Sequence, residues 1–298
     1  MSIAVPSRVE RAEGWRSPGQ DSGWLNPFVN RFLLHLLVKK ELRVRYRGSM
    51  LGMAWSYVKP AVQFIVFYIA LGVFLELNKG VHNYAVYLFS GIVVINLFGE
   101  TLGNCTRSIT GNDSLVRKIY LPTELFPYSS MIVALIHFIP QLLVLAVGAL
   151  LVGWSPGLMQ LGAIALGLII LIMLTLGLGM LTAALNAAFR DIENFVDMIV
   201  MVLTWTSPIM YQITKVRHAV GDGVLYLLYS LNPLTIVVEL FHYGFWQHTD
   251  GVQLDAGQAA VYNQIHGLWW AGLLIALAVF VIGNFVFERS KRSFAQTL

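Results

Sequence analysis

Long apolar runs alternate with short polar segments along most of the 298-residue chain. Six of these runs approach the roughly 20 residues that an α-helix needs to cross a bilayer. They cover residues 51–75 or 61–75, 84–105, 125–152, 158–188, 195–211 and 268–287. Small residues in the fourth run, Gly177 and Gly179, favour close helix packing. The pattern predicts an all-α polytopic membrane protein with six transmembrane helices.

An amphipathic stretch precedes the first apolar run. Five apolar residues recur at helical spacing and share one face: Val29, Phe32, Leu33, Leu36 and Leu37. Its second half is basic and contains Lys39, Lys40, Arg43, Arg45 and Arg47. Because apolar sequence follows almost at once, these cations are expected at the headgroup level. We predict an interface helix over residues 27–47, and an ordinary basic juxtamembrane anchor is the alternative.

The composition supports a membrane protein. Hydrophobic residues make up 57% of the chain and charged residues 12%, with a mean hydropathy of +0.67, whereas soluble domains have roughly 25% charged residues. One transmembrane domain is predicted over residues 26–298, after a flexible cytoplasmic tail at residues 1–25 that lacks a signal peptide's apolar segment. The basic clusters place both termini in the cytoplasm and predict contact with membrane lipids, not nucleic acid.

Two connecting segments have unusual patterns. Residues 224–246 form two short apolar pieces divided by Asn232 and Pro233, which predicts a re-entrant hairpin on the outer side, before the last span. A helix resting on the membrane surface is the alternative. In the loop over residues 107–122, Asn112, Asp113 or Ser114 can cap a short helix that ends before Pro122. This helix could transmit movement from a soluble partner, or it could be a plain connector.

Motifs for catalysis are missing from the sequence. It has no phosphate-binding G-x-x-x-x-G-K-[ST] loop and no spacing typical of a metal site, so we predict no catalytic residue, metal or cofactor in this chain. Carboxylates in or near the apolar runs, Glu100, Asp197 and Glu239, must face partners or water.

Four segments together carry a resemblance to a known family. They are KKELRVRYRGSMLGMAWSYVKP at 39–60, NDSLVRKIYLPTELFP at 112–127, NAAFRDI at 186–192 and SLNPLTIVVELFHYGFW at 230–246. The chain resembles, over residues 27–295, the permease subunit of ATP-binding-cassette polysaccharide exporters for O-antigen, teichoic acid or cell-wall galactan. The resemblance implies a bacterial plasma-membrane homodimer, with each copy bound to a separate ATPase that holds ATP and Mg²⁺, and a polysaccharide conduit along the dimer interface.

The resemblance and the residue chemistry together suggest site residues. Candidates for lipid-pyrophosphate entry are Arg43, Arg45, Arg47, Arg117 and Lys118, because such cations bind phosphate oxygens. Candidates for coupling to the ATPase are Asn112, Asp113, Ser114, Leu115, Leu121, Arg190 and Asp191. Candidates for the glycan path are Tyr68, Phe126, Tyr128, Trp205 and Tyr211. Asn232 and Pro233 are the outer-gate candidates.

The function expected from this resemblance is ATP-driven export of a lipid-linked polysaccharide, carried on undecaprenyl or decaprenyl pyrophosphate. A permease for a drug or small lipid is the nearest alternative. A membrane-embedded glycosyltransferase or acyltransferase would need a catalytic acid or base, and the sequence offers no paired carboxylates near a loop. A passive scaffold would not need the hairpin at Asn232 and Pro233.

Overall fold

A computed structural model describes residues 29–118, 121–291 and 294, so the predicted tail at residues 1–25 lies outside the described part. Regular structure in that part is helical. The first six α-helices are α1 Arg31–Arg45, α2 Trp55–Phe67, α3 Tyr84–Arg107, α4 Asp113–Lys118, α5 Leu125–Leu151 and α6 Leu158–Ala188. The others are α7 Ile192–Thr206, α8 Ile213–Val220, α9 Val224–Leu231, α10 Pro233–Phe241, α11 Ala256–His266 and α12 Trp269–Ser290. π-helical segments extend α2 over Tyr68–Phe74 and α10 over His242–Trp246.

Length and composition identify the candidate membrane spans. Five helical stretches qualify: Gly52–Phe74, Tyr84–Arg107, Leu125–Leu151, Leu158–Ala188 and Ala256–Ser290. A sixth candidate is the pair Val224–Leu231 and Pro233–Trp246, whose helices are bent by 67° at their break. The all-α polytopic architecture predicted from the sequence is confirmed.

The fifth predicted span, residues 195–211, was too long. The observed helix α7 has 15 residues and ends at Thr206. Ser207 is extended, with ψ at 151°, because a residue that precedes proline is disfavoured in the helical conformation. The bent pair α9 and α10 is therefore the candidate for a sixth span, and α7 is too short to be one.

The chain after α7 is unwound and buried over residues 207–210. Two tyrosines of α3 satisfy its backbone carbonyls. The Tyr84 hydroxyl donates to the Met210 carbonyl at 3.0 Å, and the Tyr87 hydroxyl contacts the carbonyls of Pro208 at 3.0 Å and Tyr211 at 2.7 Å. Non-helical backbone is tolerated at membrane depth when it is enclosed by protein in this way.

Helices α6 and α12 pack with their backbones in direct contact. A Cβ atom placed on Gly283 would lie 2.0 Å from the carbonyl oxygen of Gly177, and one on Gly177 would lie 2.5 Å from the Cα atom of Phe280. Gly179 similarly leaves room for the side chain of Cys105 on α3. The close packing predicted from the small residues of the fourth run is confirmed.

Helix α1 lies against α5 near the start of the bundle. Leu37 and Val38 are buried, whereas Phe32, from the predicted apolar face, is 72% exposed. The Glu41 carboxylate accepts hydrogen bonds from the hydroxyls of Ser129 and Ser130 on α5, at 3.3 to 3.4 Å. Burial in this contact raises the pKa of Glu41, an effect that the nearby Arg45 opposes. Polar contacts thus complement apolar packing in holding α1.

Candidate functional site

A polar cavity of about 620 Å³ lies between the end of α1 and helices α2, α3 and α5. Each of these three membrane helices contributes a pair of polar side chains at i, i+4 spacing, which places both on one helix face, and α2 adds Ser56. The pairs are Lys59 and Gln63, Asn96 and Glu100, and His137 and Gln141. The polar cavity is therefore built by three helix faces that meet inside an otherwise apolar bundle.

A hydrogen-bonded network occupies one side of the polar cavity. The Glu100 carboxylate lies 2.6 Å from Arg45 Nη1 and 2.6 Å from His137 Nδ1. The other ring nitrogen of His137, Nε2, lies 2.7 Å from the Tyr46 hydroxyl. The His137 side chain is only 2% exposed, so these two contacts fix its ring. Glu100 thereby links α1, α3 and α5.

Lys59 gives the polar cavity a cation within a membrane helix. It lines the cavity from α2 and is exposed. Charged side chains in a span are costly and usually face a partner or a water-filled space that serves function. Because Arg45 is paired with Glu100 and Glu41, Lys59 is the cation through which the polar cavity can bind an anionic group by a charge-assisted hydrogen bond.

The other predicted entry cations lie outside this cavity. Arg43 and Arg47 are exposed near the end of α1, and Arg117 and Lys118 are exposed at the end of α4. Of the five predicted entry residues, Arg45 is the one that lines the polar cavity. The other four form a basic rim at the end of the bundle that carries α1.

The predicted coupling region is tied to α1. A short 3₁₀ turn, Thr110–Asn112, leads into α4, which begins at Asp113. Lys40 of α1 donates a hydrogen bond to the Asn112 side-chain oxygen, and Asn112 in turn donates to the carbonyl of Ser108 at 2.7 Å. Asn112 therefore fastens the loop to α1 instead of capping α4 with its side chain.

The turn between α6 and α7 lies beside the same loop. Arg107 forms an ion pair with Glu193 at 2.5 Å, and the Asn186 amide donates to the Thr106 carbonyl at 3.1 Å. The predicted coupling residues Arg190 and Asp191 are exposed in this turn. Two loops distant in sequence thus form one surface at the end of the bundle.

An apolar cluster lies beneath this surface. Leu115 and Leu121 pack against it while remaining partly exposed, and Ser114 is exposed above it. Phe126 and Tyr128, predicted for the glycan path, are buried in the cluster, with 1% and 5% of their surfaces exposed. Within a single chain these two rings are core residues, and neither lines the polar cavity.

The remaining glycan-path candidates lie near the far ends of α2 and α7. Trp205 is 56% exposed, and its ring is 6.2 Å from that of Phe67. The Tyr211 hydroxyl donates to the Trp205 carbonyl at 2.9 Å. Tyr68 is partly buried, with its ring 6.1 Å from that of Tyr84. The five predicted path residues therefore fall into two separate groups.

The hairpin residues form a helix boundary. Asn232 is the N-cap of α10 and accepts a hydrogen bond from the Leu234 amide at 3.0 Å, while Pro233 takes the first helical position. Residues 234–242 are all buried, so α10 packs inside the bundle. Glu239 and His242 are 0% exposed and 3.6 Å apart, and the described residues give neither Glu239 carboxylate oxygen a hydrogen-bond partner.

Sequence reasoning missed most of the polar cavity. Tyr46, Lys59, Glu100 and His137 were not assigned to a site, because each taken alone resembles an interfacial or packed side chain. The signal that could have found them is the repeated i, i+4 spacing of polar residues in three apolar helices.

Comparison with known proteins identifies the family. A family model described as ABC-2 type transporter matches residues 33–246. The chain belongs to the ABC-2 type transporter family. It is therefore a membrane subunit of a transporter and not an enzyme, and its family implies a separate ATP-binding-cassette ATPase as partner.

Several named transport proteins are similar to this chain. An O-antigen export system permease protein RfbA of Klebsiella pneumoniae is 26% identical over 266 residues, which cover 89% of this chain and 95% of that protein. RfbA of Myxococcus xanthus is 26% identical over 220 residues, covering 73% of this chain and 82% of the relative. The polysialic acid transport protein KpsM of Escherichia coli is 22% identical over 217 residues, covering 71% and 80%.

Proposed function

We propose that this permease is the transmembrane subunit of an ATP-driven exporter for a lipid-linked polysaccharide, carried on undecaprenyl or decaprenyl pyrophosphate. The observation that carries the proposal is the similarity to an O-antigen export permease along 95% of that protein. The basic rim and the polar cavity at one end of the bundle add the chemistry that an anionic lipid head requires.

The working assembly in this proposal contains two copies of the permease in the bacterial plasma membrane, each with one ATPase that binds ATP and Mg²⁺. Both termini face the cytoplasm. The ATPase contacts the surface formed by α1, the 107–118 loop and the α6–α7 turn, with Leu115, Leu121, Arg190 and Asp191 among the contacts. The hydrogen bond between Lys40 and Asn112 supports this arrangement, because it joins α1 to the loop.

Transport then proceeds from the basic rim to the outer side. Arg43, Arg47, Arg117 and Lys118 attract the pyrophosphate, and Arg45 receives it at the polar cavity. Nucleotide binding closes the ATPases, the coupling loop moves, and the two permease copies separate to admit the glycan.

The glycan leaves past aromatic side chains and the hairpin. Tyr68, Trp205 and Tyr211 provide faces and hydroxyl groups for sugars near the outer side, and the break at Asn232 and Pro233 acts as the outer gate. Phe126 and Tyr128 are buried within one copy, so they reach the glycan only if the apolar cluster around them opens.

Depletion of the permease in its host tests the proposal. We expect surface polysaccharide to fall and a lipid-linked glycan to accumulate inside the cells, identified by mass spectrometry of the lipid extract. Re-expression of the permease should reverse both changes. Normal surface polysaccharide combined with lost resistance to an amphiphilic drug would favour the drug-exporter alternative instead.

A further inference from the structure

A second cavity, of about 350 Å³, adjoins the polar cavity between the same three helices, α2, α3 and α5. Pro60 and Gln141 line both cavities. The two therefore form one groove, which we call the bipartite groove. Its polar part lies at the end that carries α1, and its apolar part continues between the helices away from that end.

The two parts differ in chemistry. Lys59 supplies positive charge to the polar part, beside the ion pair of Arg45 with Glu100. Asn96 and Gln63 add amide groups. Apolar side chains such as Phe64 and Leu145 dominate the second part. A soluble anion would use only the first part, and an apolar molecule only the second, so the groove as a whole matches an amphiphile with an anionic head.

We propose that the bipartite groove binds one phosphate-headed lipid, with its head at Lys59 beside the Arg45–Glu100 pair and the first part of its tail between α2 and α5. The identification of this lipid as the polyisoprenyl pyrophosphate carrier rests on the proposed function. The new element is the location: the carrier binds within a single permease copy and not in the conduit between copies. The charge of the polar part and its continuity with the apolar part select this occupant over an uncharged lipid.

Gly148 offers a way to block the tail part alone. It lines the apolar part from α5, and a Cβ atom placed on it would meet nothing within 4 Å. A leucine there would extend from an unobstructed Cβ position toward the groove space. Gly162 on α6 also has nothing within 4 Å of a built Cβ atom, and it lies outside the groove. Gly162→Leu is thus a matched control.

The test measures lipid retained by the purified complex of permease and ATPase, using native mass spectrometry. The probes are undecaprenyl pyrophosphate, phosphatidylethanolamine and inorganic pyrophosphate. We expect Lys59→Met and Gly148→Leu each to lower retention of undecaprenyl pyrophosphate by about tenfold. The first substitution removes the cation that binds the head, and the second fills space that the tail would occupy. Gly162→Leu and Lys215→Met, which replaces an exposed lysine on α8, should retain it like the wild type.

A second pair covers the case in which Gly148→Leu does not fold. Val144 lines the apolar part and is 59% exposed, whereas Val147 on the same helix is 56% exposed and lies outside it. Val144→Trp should lose the lipid and Val147→Trp should keep it. Thermal unfolding of each variant shows whether a loss of lipid reflects a loss of fold.

Three results would overturn the inference. Equal retention of undecaprenyl pyrophosphate by the groove variants and their controls would show that the tail does not bind in the apolar part. Binding of inorganic pyrophosphate as tight as that of the lipid, and insensitive to Gly148→Leu, would leave a head-only site. Equal retention of phosphatidylethanolamine would indicate a site for bulk lipid. Retention that depends on Lys59 and Gly148, with no export defect after depletion, would instead contradict the proposed function alone.

Discussion

The Tyr87 hydroxyl of α3 lies 2.7 Å from the carbonyl oxygen of Tyr211, 124 residues further along the chain. This contact holds the unwound segment after α7 inside the bundle. In Tyr87→Phe, the carbonyls of Pro208 and Tyr211 lose this donor. We expect the free energy of unfolding to fall by ~1–3 kcal/mol, the cost of leaving buried polar groups unsatisfied.

Chemical unfolding in detergent micelles measures this change. Tyr243→Phe is the control, because the described part of the chain gives the Tyr243 hydroxyl no hydrogen bond. An equal loss of stability in both variants would contradict the account of the segment after α7.

Leu115→Asp tests the coupling surface. The substitution places a carboxylate against the apolar cluster beneath the 107–118 loop, so the loop should no longer transmit movement faithfully. We expect export by the reconstituted complex to fall about tenfold. Val220→Asp, on α8 at a site 41% exposed, is the control. Unchanged ATPase assembly and export in Leu115→Asp would show that this loop does not couple the two subunits.

The Glu41 contact should make the stability of the permease depend on pH. Burial raises the pKa of Glu41 above its ordinary value of 4.5, against the opposing effect of Arg45. A raised carboxyl pKa means that the folded state binds the proton more tightly. The stabilisation that comes from proton binding to Glu41 is therefore complete below pH 4.5. This stabilisation is lost as the pH rises through the folded-state pKa of Glu41.

Melting curves recorded from pH 4.5 upward compare the wild type with Glu41→Gln. The wild type should lose stability relative to the variant as the pH increases, because glutamine does not titrate. A constant difference across this range would contradict the raised pKa.

Gly177→Ala tests the contact between α6 and α12. The added methyl group would lie 2.5 Å from the backbone of Phe280, so the helices must move apart. We expect a loss of ~1–3 kcal/mol in the free energy of unfolding, as for other overpacked cores. Gly162→Ala, at an open position of α6, should be neutral or stabilising. Calorimetry measures the unfolding of both variants. Equal stability of the two variants would argue against close packing at Gly177.

Glu239→Gln tests the buried carboxylate of α10. The group is 0% exposed, and its carboxylate oxygens have no hydrogen-bond partner among the described residues. Glutamine has nearly the same shape but cannot pair electrostatically with the His242 ring 3.6 Å away, so we expect the free energy of unfolding to fall by ~1–3 kcal/mol. Unchanged thermal stability would show that the two side chains do not pair.

The helices could be predicted because their signal is local. Apolar runs and short basic loops define most spans, and the break at Asn232 and Pro233 is visible in the sequence. The end of α7 could have been placed correctly from Pro208, which lies within the apolar run over residues 195–211. At that position the proline predicts the end of the helix, whereas the apolar composition alone predicts that the helix continues.

The polar cavity could not be assembled in the same way. Arg45 and Glu100 are 55 residues apart, and His137 is another 37 residues away, so their meeting depends on how α1, α3 and α5 pack. The sequence does reveal each polar pair within its own helix. It does not reveal that the three faces converge, because several arrangements of six apolar helices bury polar faces equally well.

Helix α7 is too short to cross a membrane by itself. At 1.5 Å per residue its 15 residues rise about 22 Å, short of the ~30 Å of hydrocarbon in a typical membrane. A crossing at this point would depend on the extended residues that follow the helix, whose carbonyls have no intrahelical partner. The hydroxyls of Tyr84 and Tyr87 replace those missing bonds, so a side-chain contact from a neighbouring helix takes the place of a helical turn.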